Sequence, residues 1–156
     1  MKIRNGFVSN SSSSSFIVIR DTSIKIPKFD TNKLCFPADF PGSTTEFGWG
    51  PEEISDFASK VNFAYIQTFY TNKERAEKWR YMIESVLIEN IDNLEAVEFL
   101  ITTEFSSEEA NEKWGYIDHQ SAACEGSNTE IFDSKEALFN FFFSEDSYIQ
   151  LDNDNH

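Results

Sequence analysis

The sequence predicts an α+β domain in which a largely antiparallel sheet packs with two or three helices. Short β-branched and aromatic runs such as Phe16-Ile17-Val18-Ile19 are bounded by polar breaks, which is the mark of buried strands. Other stretches repeat their apolar residues at helical spacing, Ala76, Trp79, Met82, Ile83, Val86 and Leu87 being the clearest. The two kinds of segment alternate irregularly, with no repeat at a period of about 20 to 50 residues. At 156 residues, 40% hydrophobic and 15% aromatic, the chain can build one core. A single domain is therefore expected over residues 1–151, followed by a frayed acidic tail at 152–156.

In chain order, Phe16 to Ile19 reads as a buried strand and Ser23 to Ile26 as a second. Pro27, Pro37, Pro41, Gly42, Gly48 and Gly50 then punctuate a long loop in which Leu34 to Phe36 pairs briefly. Pro51, followed by Glu52 and Glu53, reads as the first turn of a helix that buries Ile54, Phe57, Ala58 and Val61 and runs to about residue 70. Thr71 and Glu74 form a capping-box pattern opening the next helix, which ends at Asn90. Ala96 to Phe105 is nearly continuous in hydrophobicity at its centre and reads as a central strand, with another at Lys113 to His119. Asp133 is expected to cap a helix over Ser134 to Phe143, and Ser147 to Leu151 to add an edge strand.

Charge is unevenly distributed. Residues 1–50 carry 6 basic and 4 acidic groups and residues 51–80 carry 5 of each, whereas residues 81–156 carry 2 basic and 18 acidic groups, a net of −16. Phosphate contact needs Lys and Arg, so direct nucleic-acid binding through that half is excluded. Such a field suits docking to a basic protein, imitation of DNA phosphates, or calcium binding; it equally suits a solvated surface that only aids solubility. The carboxylates that would carry docking or imitation are Glu84, Glu89, Asp92, Glu95 and Glu98, with Glu104, Glu108, Glu109 and Glu112. Trp49, in the loop Phe47-Gly48-Trp49-Gly50, is a candidate aromatic anchor beside them.

Arg4-Asn5-Gly6-Phe7-Val8-Ser9-Asn10-Ser11-Ser12-Ser13-Ser14-Ser15-Phe16-Ile17-Val18 is the one recognisable string. It resembles the N-terminal pattern FVxNSSSSSF, followed by an apolar strand, of small uncharacterised proteins from low-GC Gram-positive bacteria and their phages. The resemblance covers about 15 residues and implies a source, phage or prophage, rather than an activity. A polyserine run ordinarily reads as a flexible linker. Here Phe7-Val8 and Phe16-Ile17 bracket it, which predicts that both ends are anchored and that Ser11, Ser12, Ser13, Ser14 and Ser15 line a ligand site or present a modification target.

Catalytic candidates are few. Asp118-His119, with Gln120, Ser121 and Cys124 nearby, is the best cluster because His exchanges protons near neutral pH. No nucleophile elbow, Walker motif or dinucleotide fingerprint accompanies it. Cys35, His119 and Cys124 lack zinc spacing, and Asp152-Asn153-Asp154-Asn155 lacks the glycine and closing Glu of a calcium loop, so no metal or cofactor is expected. No run approaches the roughly 18 apolar residues of a membrane span, and polar Ser9 to Ser15 occupies the place of a signal-peptide core. The expected location is the cytoplasm, the host's if the protein is phage-encoded, with Cys35 and Cys124 as free thiols. The sequence thus predicts an acidic interaction protein that binds a basic or DNA-binding host protein through its C-terminal half, as inhibitor or DNA mimic. The alternatives are a small hydrolase or transferase using Asp118 and His119, and a virion or scaffold component.

Overall fold

Strand-forming and helix-forming segments alternate along the chain as its residue pattern requires. In the computed structural model, which describes residues 2–3, 13–48, 52–104 and 112–153, the order is β1 (Lys2–Ile3), β2 (Ser13–Ile19), β3 (Lys33–Phe36), β4 (Glu46–Phe47), β5 (Glu52–Ile54), α1 (Phe57–Gln67), α2 (Lys73–Asn90), β6 (Ala96–Phe99), β7 (Ile101–Thr102), β8 (Lys113–Trp114), β9 (Tyr116–Ile117), α3 (Lys135–Phe143) and β10 (Tyr148–Asn153). Short 3-10 turns follow α1 at Thr68–Tyr70 and occupy His119–Ser121, Ala123–Glu125 and Glu130–Phe132.

The principal sheet has the order β1-β2-β10-β5 and is antiparallel throughout. Its register sets Ile149 opposite Ile17 and Leu151 opposite Ser15, so alternate residues of β2 and β10 face the core. Beside it, β3 pairs with β6, β7 with β8 and β4 with β9, each in parallel. Main-chain bonds make these pairs continuous: Leu100 N donates to Phe36 O, Lys113 N to Leu100 O and Tyr116 N to Thr45 O. The single central strand expected over Ala96 to Phe105 is instead two short strands, β6 paired among the described residues only with β3 and β7 only with β8, joined at Leu100, whose main chain bonds to both sides. Phe105 lies outside the described residues.

Several sequence expectations are corrected. Ser13, Ser14 and Ser15 are not linker: they extend β2, paired with Asn153, Asp152 and Leu151. Ser11 and Ser12 lie outside the described residues. Ser23 to Ile26 forms no strand, because only Ile24 makes a bridge, to Ser144. Glu52–Ile54 is a strand rather than the first turn of a helix, since β10 offers it a ladder; Asp56 caps α1 instead, its side chain accepting from Ser59 N. Pro51 lies outside the described residues. The cap of α2 is Asn72, not Thr71, and that of α3 is Ser134, not Asp133. The Ser147 to Leu151 segment is not an edge: β10 lies between β2 and β5, with Ile149 and Leu151 buried, and its pairing carries on to Asn153, beyond the expected domain end. Residues 154–156 lie outside the described residues.

The core gathers α1, α3 and one face of α2 against the sheets. Phe141, Phe142 and Phe143 are all buried, and Trp79 stacks on Phe132 with ring centroids 4.1 Å apart. Trp114 is half-buried and stacks on Tyr116. α1 is buried nearly all round, which marks it as the central helix. No helix among the described residues is long and apolar enough to cross a membrane.

Replacing Asn72 by Ala should lower unfolding free energy by about 1 kcal/mol, because Arg75 N loses its acceptor. Thr71→Ala, one residue outside the cap, should change it by less than about 0.5 kcal/mol. Urea denaturation followed by tryptophan fluorescence measures both.

Candidate functional site

Three places concentrate chemistry, and they begin from different causes. The first is the acidic surface. Glu84 and Glu89 are exposed on α2, Asp92 and Glu95 in the turn that follows, Glu98 on β6 and Glu104 just after β7. Two are neutralised locally: Lys135 Nζ lies 2.8 Å from Glu89 Oε1, and Lys33 Nζ 2.9 Å from Glu98 Oε2. Glu98 in turn raises the Lys33 pKa above its ordinary value, first through that hydrogen bond and then through its charge. Glu95 accepts from Asn32 Nδ2. Glu84, Asp92 and Glu104 are solvated, Glu112 is half-buried, and Glu108, Glu109 and Trp49 lie outside the described residues.

The second place is a polar junction where the end of the serine tract meets the Asp118–Cys124 segment. Asn128, fully buried at φ 56°, donates through Nδ2 to Ser15 Oγ and to Ser121 O, each at 3.2 Å. Gln67, at the end of α1, donates to Ser121 O and accepts from Ala123 N. Ser121 Oγ and Asn128 Oδ1 are buried there without a hydrogen-bond partner. Sequence spacing gave no sign of this convergence, because Ser15, Gln67, Ser121 and Asn128 come from four segments. Asp118 serves the turn: its Oδ2 accepts from Gln120 N and its carbonyl from Ser121 N. Of His119 only the main chain, which opens that turn, is among the described atoms. A glycine is required opposite, since a Cβ on Gly48 (φ +125°) would lie 2.3 Å from Asp118 Cβ. Cys124 is exposed and Cys35 half-buried, both free thiols.

The third is Lys60, 1% exposed on α1 and missed from the sequence. Its signal was a lysine one helical turn from Phe57 and Ala64, on an otherwise apolar face. Nζ donates to Ser144 O at 2.9 Å and Ser147 O at 3.1 Å, so a cation closes the C-terminal end of α3. Burial pushes its pKa down to about 8, against the opposing pull of Asp56 and Glu145. Lys60 also borders a cavity of about 240 Å³ together with Lys25, Asp56, Phe57 and Glu145. Among the described residues, no group of three or more His, Cys, Asp or Glu side chains is placed to hold a metal ion.

Comparison with protein-family models, with curated proteins and with solved structures gives no match, so function is argued from this geometry.

Lys60 predicts a pH dependence. In the folded chain the ammonium loses its proton near pH 8, while the unfolded chain keeps it to the ordinary 10.5. Between those values the unfolded state binds more protons, so stability rises with pH. Burial holds the phenols of Tyr65, Tyr70 and Tyr116 above their ordinary value, and stability falls again above about pH 10 as the unfolded phenols ionise. Unfolding free energy should climb by about 2 kcal/mol from about pH 7.5 to 9.5. Lys60→Met should remove that climb in urea titrations across the same range.

Proposed function

We propose that the protein is an acidic interaction protein that binds a basic protein partner through the surface formed by the end of α2, β6 and the segments following them. One observation carries this reading: within a half-chain of net charge −16, Glu84, Asp92, Glu95 and Glu104 are exposed on α2, in the turn after it and just after β7. A field of that sign accelerates encounter with a cationic surface and selects against anionic ones. The pairing of Glu89 with Lys135 and of Glu98 with Lys33 leaves separated carboxylates rather than an unbroken row. That favours a partner matched to a few fixed points over replacement of a DNA backbone. Asp118 is occupied in capping its own turn, which lends less support to acid–base catalysis there.

The immobilised protein should retain a basic protein from nuclease-treated bacterial lysate at low salt and release it at high salt. With that partner purified, the combined Glu84→Gln, Asp92→Asn, Glu95→Gln and Glu104→Gln variant should bind at least about tenfold more weakly. Equal binding by variant and parent, or no partner at either salt, overturns the reading.

A further inference from the structure

The N-terminal half carries a second surface whose chemistry differs from bare negative charge. Residues 24–29 leave the end of β2 as an extended segment held by the Ile24–Ser144 bridge and by Lys25 N donating to Phe143 O. Ile24 and Ile26 are 41% and 36% exposed on it. Beside the segment lie two adjoining cavities, of about 240 and 570 Å³, that share Pro27, Asp56 and Phe57 in their walls; the larger of them is a groove.

The floor of the groove is aromatic. Phe29, Phe40 and Phe57 are each half-buried and touch one another, with ring centroids 5.6 Å apart for Phe29 and Phe40, 6.0 Å for Phe40 and Phe57 and 6.4 Å for Phe29 and Phe57. The rings are too close to cage a cation between them, so they offer a continuous apolar face. The rim is acidic: Asp39 and Asp56 stand at the large cavity and Glu145 at the small one. Asp39 Oδ2 accepts from Cys35 N at 2.7 Å and Asp56 Oδ2 from Ser59 N at 3.0 Å. Each carboxylate is thereby fixed in position before any ligand arrives, with Oδ1 left for an incoming donor. Lys25 and the buried Lys60 border the smaller cavity only, which directs an incoming cation to the larger cavity, where Asp39 stands and Asp56 forms part of the wall shared by the two.

We infer that this groove docks a short extended segment of a partner protein in which an apolar side chain seats on Phe29, Phe40 and Phe57 and a flanking Lys or Arg reaches Asp39 and Asp56. Charge complementarity selects this occupant: the larger cavity is lined by Asp39 and Asp56 with no Lys or Arg among the described residues, so a cationic side chain fits it, whereas the C-terminal half of a second copy, of net charge −16, would bring like charge. The inference extends the proposed function, resting on it only for the sign of the partner's charge, and uses a separate set of residues.

The probe is a fluorescent acetylated peptide, Lys-Leu-Lys-Phe-Lys amide, compared with penta-lysine amide and with Glu-Leu-Glu-Phe-Glu amide. Anisotropy titration should show the first bound about tenfold or more tightly than penta-lysine and the acidic peptide not bound. Amide chemical shifts should move at Lys28, Phe29, Phe40, Gly42, Phe57 and Ala58. Asp39→Asn with Asp56→Asn, in which Asn keeps the helix cap, should weaken the probe about tenfold, while the four-site variant of the C-terminal surface should leave it unchanged. Tight binding of penta-lysine to equal extent, shifts gathered on α2 and β6, or indifference to the Asp39 and Asp56 pair would each overturn the groove without touching the C-terminal reading. Concentration-dependent dimerisation of the protein alone, abolished by Phe40→Ser, would overturn it in favour of a second copy.

Discussion

The fold depends on a helix that is buried on every side yet is not apolar on every side. α1 carries Ser59, Lys60, Asn62 and Gln67, each essentially inaccessible to water, and a buried polar group without a partner is costly. Between them they grip three distant pieces of chain. Ser59 Oγ accepts from Thr44 N, Asn62 Nδ2 donates to Ser43 Oγ and Thr44 O, Lys60 closes the end of α3 at Ser144 and Ser147, and Gln67 holds the turn at Ser121 and Ala123. Three irregular segments that could not be fixed by ladders of their own are thus positioned from one central helix.

The same arrangement determines what the surface offers. Ser144 and Ser147, held by Lys60, also hold the end of β2: Ser144 Oγ donates to Thr22 O, and Ser147 Oγ accepts from Arg20 N. The extended segment after β2 is consequently fixed along the aromatic groove. At the other end of α1, Gln67 and Asn128 tie the turn at Ser121 to the last serine of the tract. Glu130 is buried, whereas the acidic residues of α2, β6 and the turn between them stand exposed, where their charge is solvated.

The contrast between the two surfaces is physical. On the C-terminal side, charge is exposed and partly neutralised by Lys33 and Lys135, so its reach depends on ionic strength. In the groove, Asp39 and Asp56 flank an apolar floor of Phe29, Phe40 and Phe57, and burial of apolar surface there would be little screened by salt.

The residue pattern alone determined the α+β class, the extents of α2 and α3 to within a residue or two, the core role of Trp79, and the charge asymmetry. Those are local or compositional properties: helical spacing, β-branched runs and counts of ionisable groups need no knowledge of neighbours. Tertiary structure alone decided that Glu52–Ile54 is a strand, that β10 is central and that Ser13 to Ser15 belongs to β2, because each depends on which segment offers a ladder. It also decided the parallel pairs, the burial of Lys60 and the meeting of Ser15, Gln67, Ser121 and Asn128. Long-range hydrogen bonding is satisfied only when distant segments meet, and nothing in the spacing of one segment records the partner that satisfies it.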